Sequence, residues 1–425
     1  MTALSATPLT SASAMLRPLS GFERLFLALD KINGFNFGIA VSFSGTIADL
    51  RWKTAFEQVQ RRHPLLNAGI NEEDPHAPYF TSGAGFAIPL AFQRRISPTD
   101  WQRVMESDIA EPFDLSKGPL LRAAVLKDDQ GCDLVITANH AVIDGIGVLA
   151  FIRDVFRVLG GQTLTVLPVP PAAEERAAEI RLMNSLRDNV EDLAAEPQPR
   201  NRTYASRNRK GKAVISSRRL SQDQTAQLLR YARREQTTIG AMLMAATASA
   251  LRGLSPQLKL ADLRLTTAVD ARPYLGNEDD FVLSVISPRA IVPYPDQELA
   301  ASARAIKTQI APFQSFAAIE ATFGRVGGVL AQKQESAALV NALAQGLAHD
   351  LGVSNLRTIE FPSMGDGLVV ESVWGPSVLA GYDGEHFIGS ATFAGALHLV
   401  YSSFTPAPDL LETVHEIISN ACGDA

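Results

Sequence analysis

The chain has 425 residues, with 39 Lys plus Arg against 45 Asp plus Glu, so its formal net charge is −6. At about 100–200 residues per domain, that length fits two to four domains or one large two-lobed body, and 46% hydrophobic with 20% charged residues is enough to bury a sizeable core. The acid excess argues against a nucleic-acid binder, and two distant cysteines, Cys132 and Cys422, give no disulfide framework and point to a reducing compartment.

Residues 1–17, rich in Ser, Thr and Ala, read as a loose leader without the apolar run of a signal peptide. The most apolar stretches, such as Ile239–Leu251, fall well short of the ~20 residues of a spanning helix. A cytoplasmic location is the expectation. Leu19–Asp30 has the spacing of a short helix, Phe35–Ser44 alternates like a strand, and Asp49–Arg62 reads as a helix with Leu50, Phe56 and Val59 inward. Asn71–Gly85 reads as a loop or hairpin and Asp100–Ile109 as a helix. Leu120–Lys127 and Asp133–Ala138 are strands joined by the turn Asp128-Asp129-Gln130-Gly131, and Gly145–Leu159 is an amphipathic helix stopped by Gly160-Gly161.

The composition changes over 166–211. Pro168, Pro170 and Pro171 precede a charged helix-like piece, Glu174–Leu193, then Pro197, Pro199 and a basic run up to Lys212. This segment reads as a linker between an N-terminal lobe (18–165) and a C-terminal lobe (212–425). The second half again mixes elements: strand Lys212–Leu220, helices Asp223–Glu235 and Thr238–Leu251, strand Leu263–Val269, strand-like Ser390–Ser403 and a final helix Asp409–Ala421. The mixture predicts an α/β or α+β protein of two lobes.

The sharpest chemical feature is Asn139-His140-Ala141-Val142-Ile143-Asp144-Gly145, set between a strand and a helix. A His at a strand's end can project into a crevice. A neutral imidazole there can take a proton from a hydroxyl or amine that attacks a carbonyl. Asp144 can pair with an Arg or cap the helix, and Gly145 permits close approach of backbone or ligand. A core His with a capping Asp is the plain structural alternative. Gly145-Ile146-Gly147-Val148-Leu149-Ala150 also fits a dinucleotide fingerprint, but no strand with an acidic end follows, so a nicotinamide enzyme is rejected. Serine-hydrolase elbows, His-Glu-x-x-His, Walker loops and Cys-x-x-Cys are absent, and with seven His and two Cys no metal site is expected.

These residues, together with others, resemble the condensation-domain and polyketide-associated acyltransferase superfamily, related in fold to chloramphenicol acetyltransferase. The similar segments are Ser20–Phe26, Arg62-His63-Pro64-Leu65-Leu66, Pro112–Leu115 with Gly118–Arg122, the His140–Gly145 motif, Val269–Tyr274, Val353–Leu356 and Trp374-Gly375-Pro376. The resemblance implies two lobes, each a mixed sheet with flanking helices, meeting along a tunnel with His140 at its centre. It implies acyl transfer from a thioester, on coenzyme A or an acyl carrier protein, to a hydroxyl acceptor. His140 would be the general base, assisted by Asp144 and Gly145, with no bound cofactor. Peptide-forming relatives usually carry two consecutive His; here the first is Asn139, which favours ester over amide formation. Arg357 stands where many relatives have Gly.

A buried Asp144 needs a partner, and Arg272 and Arg62 are the two candidates, with Arg272 slightly preferred. Ser354, Asn355 and backbone amides near Gly145 are candidates for holding the oxyanion. Arg207, Arg209 and Lys210, in the basic run, are candidates for docking an acidic or phosphorylated donor, against the plainer reading of a solvated linker flank. A monomer is expected, since a site between two lobes needs no second copy. An amine acceptor and a catalytically silent docking module remain the alternatives.

Overall fold

The computed structural model describes residues 14–82, 85–183, 212–278, 280–331, 346–365, 367–382 and 384–423. It opens with strand β1 (Met15–Pro18) and helix α1 (Gly21–Asn33). Ser20 and Glu23 close a reciprocal capping box at the start of α1. The Glu23 carboxylate also takes Arg17 through both guanidinium nitrogens, at 2.6 and 2.7 Å, in a buried pair. The end of the expected leader is therefore a paired strand; residues 1–13 lie outside the described residues.

In chain order there follow β2 (Asn36–Ser44), α2 (Asp49–Arg62), β3 (Ala68–Asn71), β4 (Tyr79–Ser82), β5 (Leu90–Arg94), α3 (Asp100–Ala110), β6 (Leu121–Lys127), β7 (Gly131–Asn139) and α4 (Gly145–Leu159). The antiparallel β3–β4 pair is the hairpin read in Asn71–Gly85. In α2 the inward face is Trp52, Ala55, Phe56 and Val59, whereas Leu50 is 71% exposed, contrary to the sequence reading. At the first turn, position 50 lies on the solvent side of the stripe that Phe56 and Val59 define.

The linker region resolves into α5 (Ala173–Met183), while residues 184–211 lie outside the described residues, and with them Arg207, Arg209 and Lys210. The second half runs β8 (Val214–Arg219), α6 (Gln222–Arg234), α7 (Ile239–Leu254), β9 (Leu263–Thr267), β10 (Val269–Asp270), the short α8 (Arg272–Leu275), β11 (Val285–Ile286), β12 (Arg289–Val292), α9 (Leu299–Ile310) and α10 (Phe316–Ala331). It ends with β13 (Leu351–Ile359), β14 (Val369–Val378), β15 (His386–Phe393), β16 (Ala396–Ser403) and α11 (Leu410–Gly423). The alternating run Ser390–Ser403, read as one strand, is part of a hairpin: Ala394 and Gly395 both have positive φ, 47° and 77°, and reverse the chain between β15 and β16.

Two mixed sheets dominate: one of order β14-β2-β7-β6-β5, the other β12-β9-β13-β15-β16-β8. In the first, β2 and β7 are buried along nearly their whole length, with both faces covered, which is why they read as continuous apolar runs. β14 departs from the division of the chain at 212. It belongs to the second half in sequence but pairs antiparallel with β2, from Val369 opposite Ser44 to Val378 opposite Phe37. Its exposed and polar positions, Glu371 among them, hide it from a search for apolar periodicity. Where β14 passes β15 the backbones nearly touch: a Cβ on Gly389 would lie 1.9 Å from the Pro376 carbonyl oxygen. Only a glycine fits that crossing. Among the described residues no helix is long and apolar enough to cross a membrane.

Candidate active site

The motif is locked in place by its own backbone and by one buried amide. The Asn139 N–H donates to Leu120 O at 2.9 Å and the His140 N–H to Phe35 O at 2.8 Å, so strand pairing carries the chain up to the His. Asn139, fully buried, donates its amide to Asp30 Oδ1 (2.7 Å) and Asn36 Oδ1 (3.2 Å) and accepts from the Ala141 N–H (3.0 Å). It therefore fixes the turn after β7 and does not line the cavity described below. Any bearing of Asn139 on acceptor type is therefore not through contact with that cavity.

His140 sits among three phenylalanines: Phe26, Phe35 and Phe37 have ring centroids 4.9, 4.9 and 4.5 Å from the imidazole. Nδ1 is buried without a well-formed hydrogen bond, so Nε2 is the nitrogen open to a substrate. Burial among these rings pushes the His140 pKa down to about 4, against weaker upward pulls from the Asp144 charge and from backbone groups of His140 and Ile143. The ring is neutral at physiological pH.

Asp144 is the N-cap of α4. One oxygen accepts the Gly147 N–H at 3.0 Å; the other accepts Arg272 Nη1 at 2.9 Å and the Ser284 N–H at 2.8 Å. Burial raises the carboxyl, but the Arg272 guanidinium and these hydrogen bonds outweigh it and hold it below the usual carboxylate range. Arg272 is itself buried, at the start of α8, and also reaches Val282 O (2.7 Å) and Asp270 Oδ1 (3.3 Å). The other candidate partner, Arg62, is elsewhere: it binds Asp154 (2.7 Å) and Thr165 O, and His63 shares the same carboxylate. Arg62 and His63 thus tie the end of α2 to α4 through Asp154, and Asp144 is not their partner.

The two Gly of the rejected nucleotide fingerprint have packing roles. A Cβ on Gly145 would sit 3.1 Å from Leu356 Cδ2, and one on Gly147 only 2.5 Å from Ile143 Cγ1. They let the start of α4 approach β13 and fold back on its own turn. β7, the strand before this helix, pairs antiparallel on both sides, and the next strand, β8, belongs to the other sheet, so there is no βαβ unit.

A cavity of about 350 Å³ opens over His140. Its walls come from both halves of the chain: α1 gives Phe22, Leu25, Phe26 and Leu29, α10 gives Val326 and Val329, and β13 gives Val353–Arg357. Ser354 and Asn355 line it, as does Gly145. Asn355 Oδ1 accepts the Arg357 N–H at 2.8 Å. The sequence reading missed a second polar group on this wall. His349 and Glu385 lie 3.1 Å apart, with Glu385 also accepting the N–H groups of Ala380, Gly381 and Tyr382. No spacing signal links two residues 36 positions apart, each just ahead of a different strand. Among the described residues no cluster of His, Cys, Asp and Glu could hold a metal. Both cysteines are buried and lie outside the cavity; burial pushes Cys132 up to about 12.

The profile of the Condensation domain family matches residues 25–274, more than half of the chain and including the whole motif. The chain belongs to the Condensation domain family. Curated proteins similar to it include a Plipastatin synthase subunit of Bacillus subtilis, 23% identical over 157 residues, 36% of this chain and 6% of that one. Polyketide synthase PksN of the same species is 28% identical over 152 residues, 33% of this chain and 3% of that one. This Condensation domain chain thus spans a few per cent of the length of these relatives.

Solved structures share its fold. Polyketide synthase associated protein 5 from Mycobacterium tuberculosis aligns with a TM-score of 0.63 at 17% identity, covering 97% of this chain and 99% of that one. The first condensation domain of the CDA synthetase gives 0.69 at 13%, covering 97% of each. Trichothecene 15-O-acetyltransferase from Fusarium sporotrichioides gives 0.63 at 14%, covering 99% of this chain and all of that one (100%). The two-lobed architecture of mixed sheets expected from the resemblance is therefore that of the family.

Proposed function

We propose that this Condensation domain protein transfers an acyl group from a thioester to a hydroxyl acceptor. The observation that carries this reading is a neutral imidazole, with Nε2 open to an interlobe cavity, held by a motif whose carboxylate is fully engaged elsewhere. His140 Nε2 takes the hydroxyl proton as the oxygen attacks the thioester carbonyl, giving a tetrahedral oxyanion. The C–S bond then breaks and the imidazolium returns the proton to the departing thiolate. The Asn355 amide nitrogen and the Ser354 hydroxyl would be the side-chain donors to the oxyanion, a reading supported by their place in the cavity lining. Asp144 bonds to Gly147, Arg272 and Ser284; it would be a positioning residue that caps the helix after His140 and favours the imidazolium electrostatically. Neither cysteine supports a covalent acyl-enzyme. Both substrates would be held together, so that binding supplies orientation.

The donor would be carried on coenzyme A or on an acyl carrier protein, a reading supported by relatives named as synthases. Amide formation is the second reading. Asn139 in place of the first His of peptide-forming relatives supports the alcohol, while its side chain bonds within the β7 turn.

The test is thiol release from a panel of acyl thioesters with simple alcohols and amines, with product identification, for the wild type and His140→Ala. Release that requires an acceptor and falls by roughly 10²–10⁴-fold in the variant supports the reading. Release unaffected by the substitution would sink His140 as the base, and amide products alone would replace the ester assignment.

A further inference from the structure

Charge on the cavity wall is unevenly settled. Four guanidinium groups line it (Arg272, Arg289, Arg325, Arg357) against three carboxylates (Asp144, Asp270, Glu385). Each carboxylate is answered from within the protein: Asp144 and Asp270 share Arg272, and Glu385 has His349 and three backbone N–H groups. The Arg325 and Arg357 side chains have no carboxylate partner among the described residues. The wall therefore presents positive charge to whatever enters.

Arg357 carries a second mark. Four non-glycine residues among those described have positive φ: Gln236, Arg357, Ala394 and Asp409. Three belong to turns or helix ends, where a left-handed residue serves to reverse or stop the chain. Gln236 follows α6, Ala394 makes the β15–β16 turn and Asp409 precedes α11. Arg357 instead sits within strand β13, at φ 60°, where the register with β15 slips between Asn355 and Thr358. A residue with a Cβ adopts that conformation at an energetic cost that glycine avoids. The bulge is held by the Asn355 side chain on the Arg357 N–H. It re-aims an exposed arginine onto the cavity beside Leu356, the residue that abuts Gly145. Strain kept at a cavity-lining position, where the costly residue is also charged, points to use of that charge.

We propose that Arg357 is a selectivity residue at the cavity mouth, where its guanidinium recognises an anionic group, carboxylate or phosphate, carried by one of the two co-substrates. Planar bidentate pairing suits both oxyanions. The proposal rests on the acyl-transfer reading of this cavity only for the word co-substrate; recognition itself is a binding property.

Two matched pairs of compounds test it. A hydroxy acid against its methyl ester isolates an acceptor carboxylate; an acyl-coenzyme A against the same acyl-pantetheine isolates donor phosphate. Equilibrium binding and turnover are measured for the wild type, Arg357→Gly, Arg357→Asn and Arg357→Lys. The expected result is a wild-type preference for the anionic member of one pair. That preference falls roughly 10- to 100-fold in the Gly and Asn variants and is partly kept by Lys. The urea midpoint of Arg357→Gly should not fall below that of the wild type, because glycine relieves the strained φ. The pair whose preference collapses identifies the source of the anion. A preference that survives in both neutral variants, or none in either pair, overturns the proposal. Binding preference without turnover would instead sink the acyl-transfer reading and leave Arg357 standing; turnover without preference would sink Arg357 alone.

Discussion

The imidazole of His140 is surrounded by hydrocarbon, and that surrounding decides its protonation. A ring held at about 4 stays unprotonated over the whole physiological range, so the proposed base would be competent in every molecule, at the expense of proton-transfer driving force. The consequence is kinetic. An ordinary His base would lose activity as the pH falls through about 6.5, whereas here the acid limb of kcat/KM should lie well below that value. A profile recorded from neutral down to the acid stability limit checks this, and a limb at the ordinary value would mean that the ring is hydrated in the working enzyme. Phe37 sits closest, with its ring centroid 4.5 Å from the imidazole. It is the residue whose loss should most directly readmit water and raise the limb.

At the scale of elements, α4 hangs from one carboxylate. Asp144 caps its first turn while Arg272 reaches across from α8, in the other half of the chain, to neutralise the cap. Replacing Arg272 with Met would keep the side chain's bulk but leave a buried anion uncompensated, at a cost of about 3–5 kcal/mol. Urea unfolding of Arg272→Met measures this. A change smaller than the scatter would show that the backbone N–H groups of Gly147 and Ser284 suffice. Much of this level was legible in the sequence. The Gly160-Gly161 stop marks the end of α4 because such stops are local, whereas the sequence reading starts α1 at Leu19 and misses the Ser20–Glu23 capping box. Asp144 and Arg272 came from separate motifs, and their meeting was readable only through the family resemblance. What stayed hidden is non-local. Trp374-Gly375-Pro376 gives no sign that its strand lies beside β2, and the β15–β16 turn uses Ala394 with Gly395 in place of a stronger turn pair. His349 and Glu385 face each other only because β13 and β15 are parallel neighbours.

For the whole molecule, two buried histidines, His140 and His398, contribute to the acid sensitivity of the fold. His398, fully buried against Trp374, is pushed down to about 4 by burial, and Arg219 adds to the effect. His140 is shifted equally far by its own surroundings. Both folded values lie below the ordinary 6.5, so between about 6.5 and 4 the unfolded chain binds the extra protons and stability falls as pH falls. Each contributes a slope of at most about 1.4 kcal/mol per pH unit in that window. Below both values the slope from these groups vanishes. Urea midpoints at pH of about 6 and about 4.5 should separate wild type from His398→Phe, which loses one of the two contributions. Equal slopes would mean that His398 finds a partner in the native state.

The crossing of β14 into the first sheet bears on how such a chain can be cut and recombined. The proline-rich stretch after residue 166 looks like the natural seam, yet a fragment ending there would lack the strand that borders β2 and would expose its backbone donors and acceptors. A chimaera joined at that seam inherits its border strand from the other parent. Residues 36–44 of one parent must then match residues 369–378 of the second. The exchangeable unit in this architecture is a pair of distant segments, so shuffling by contiguous blocks will select for parents that already agree along that border.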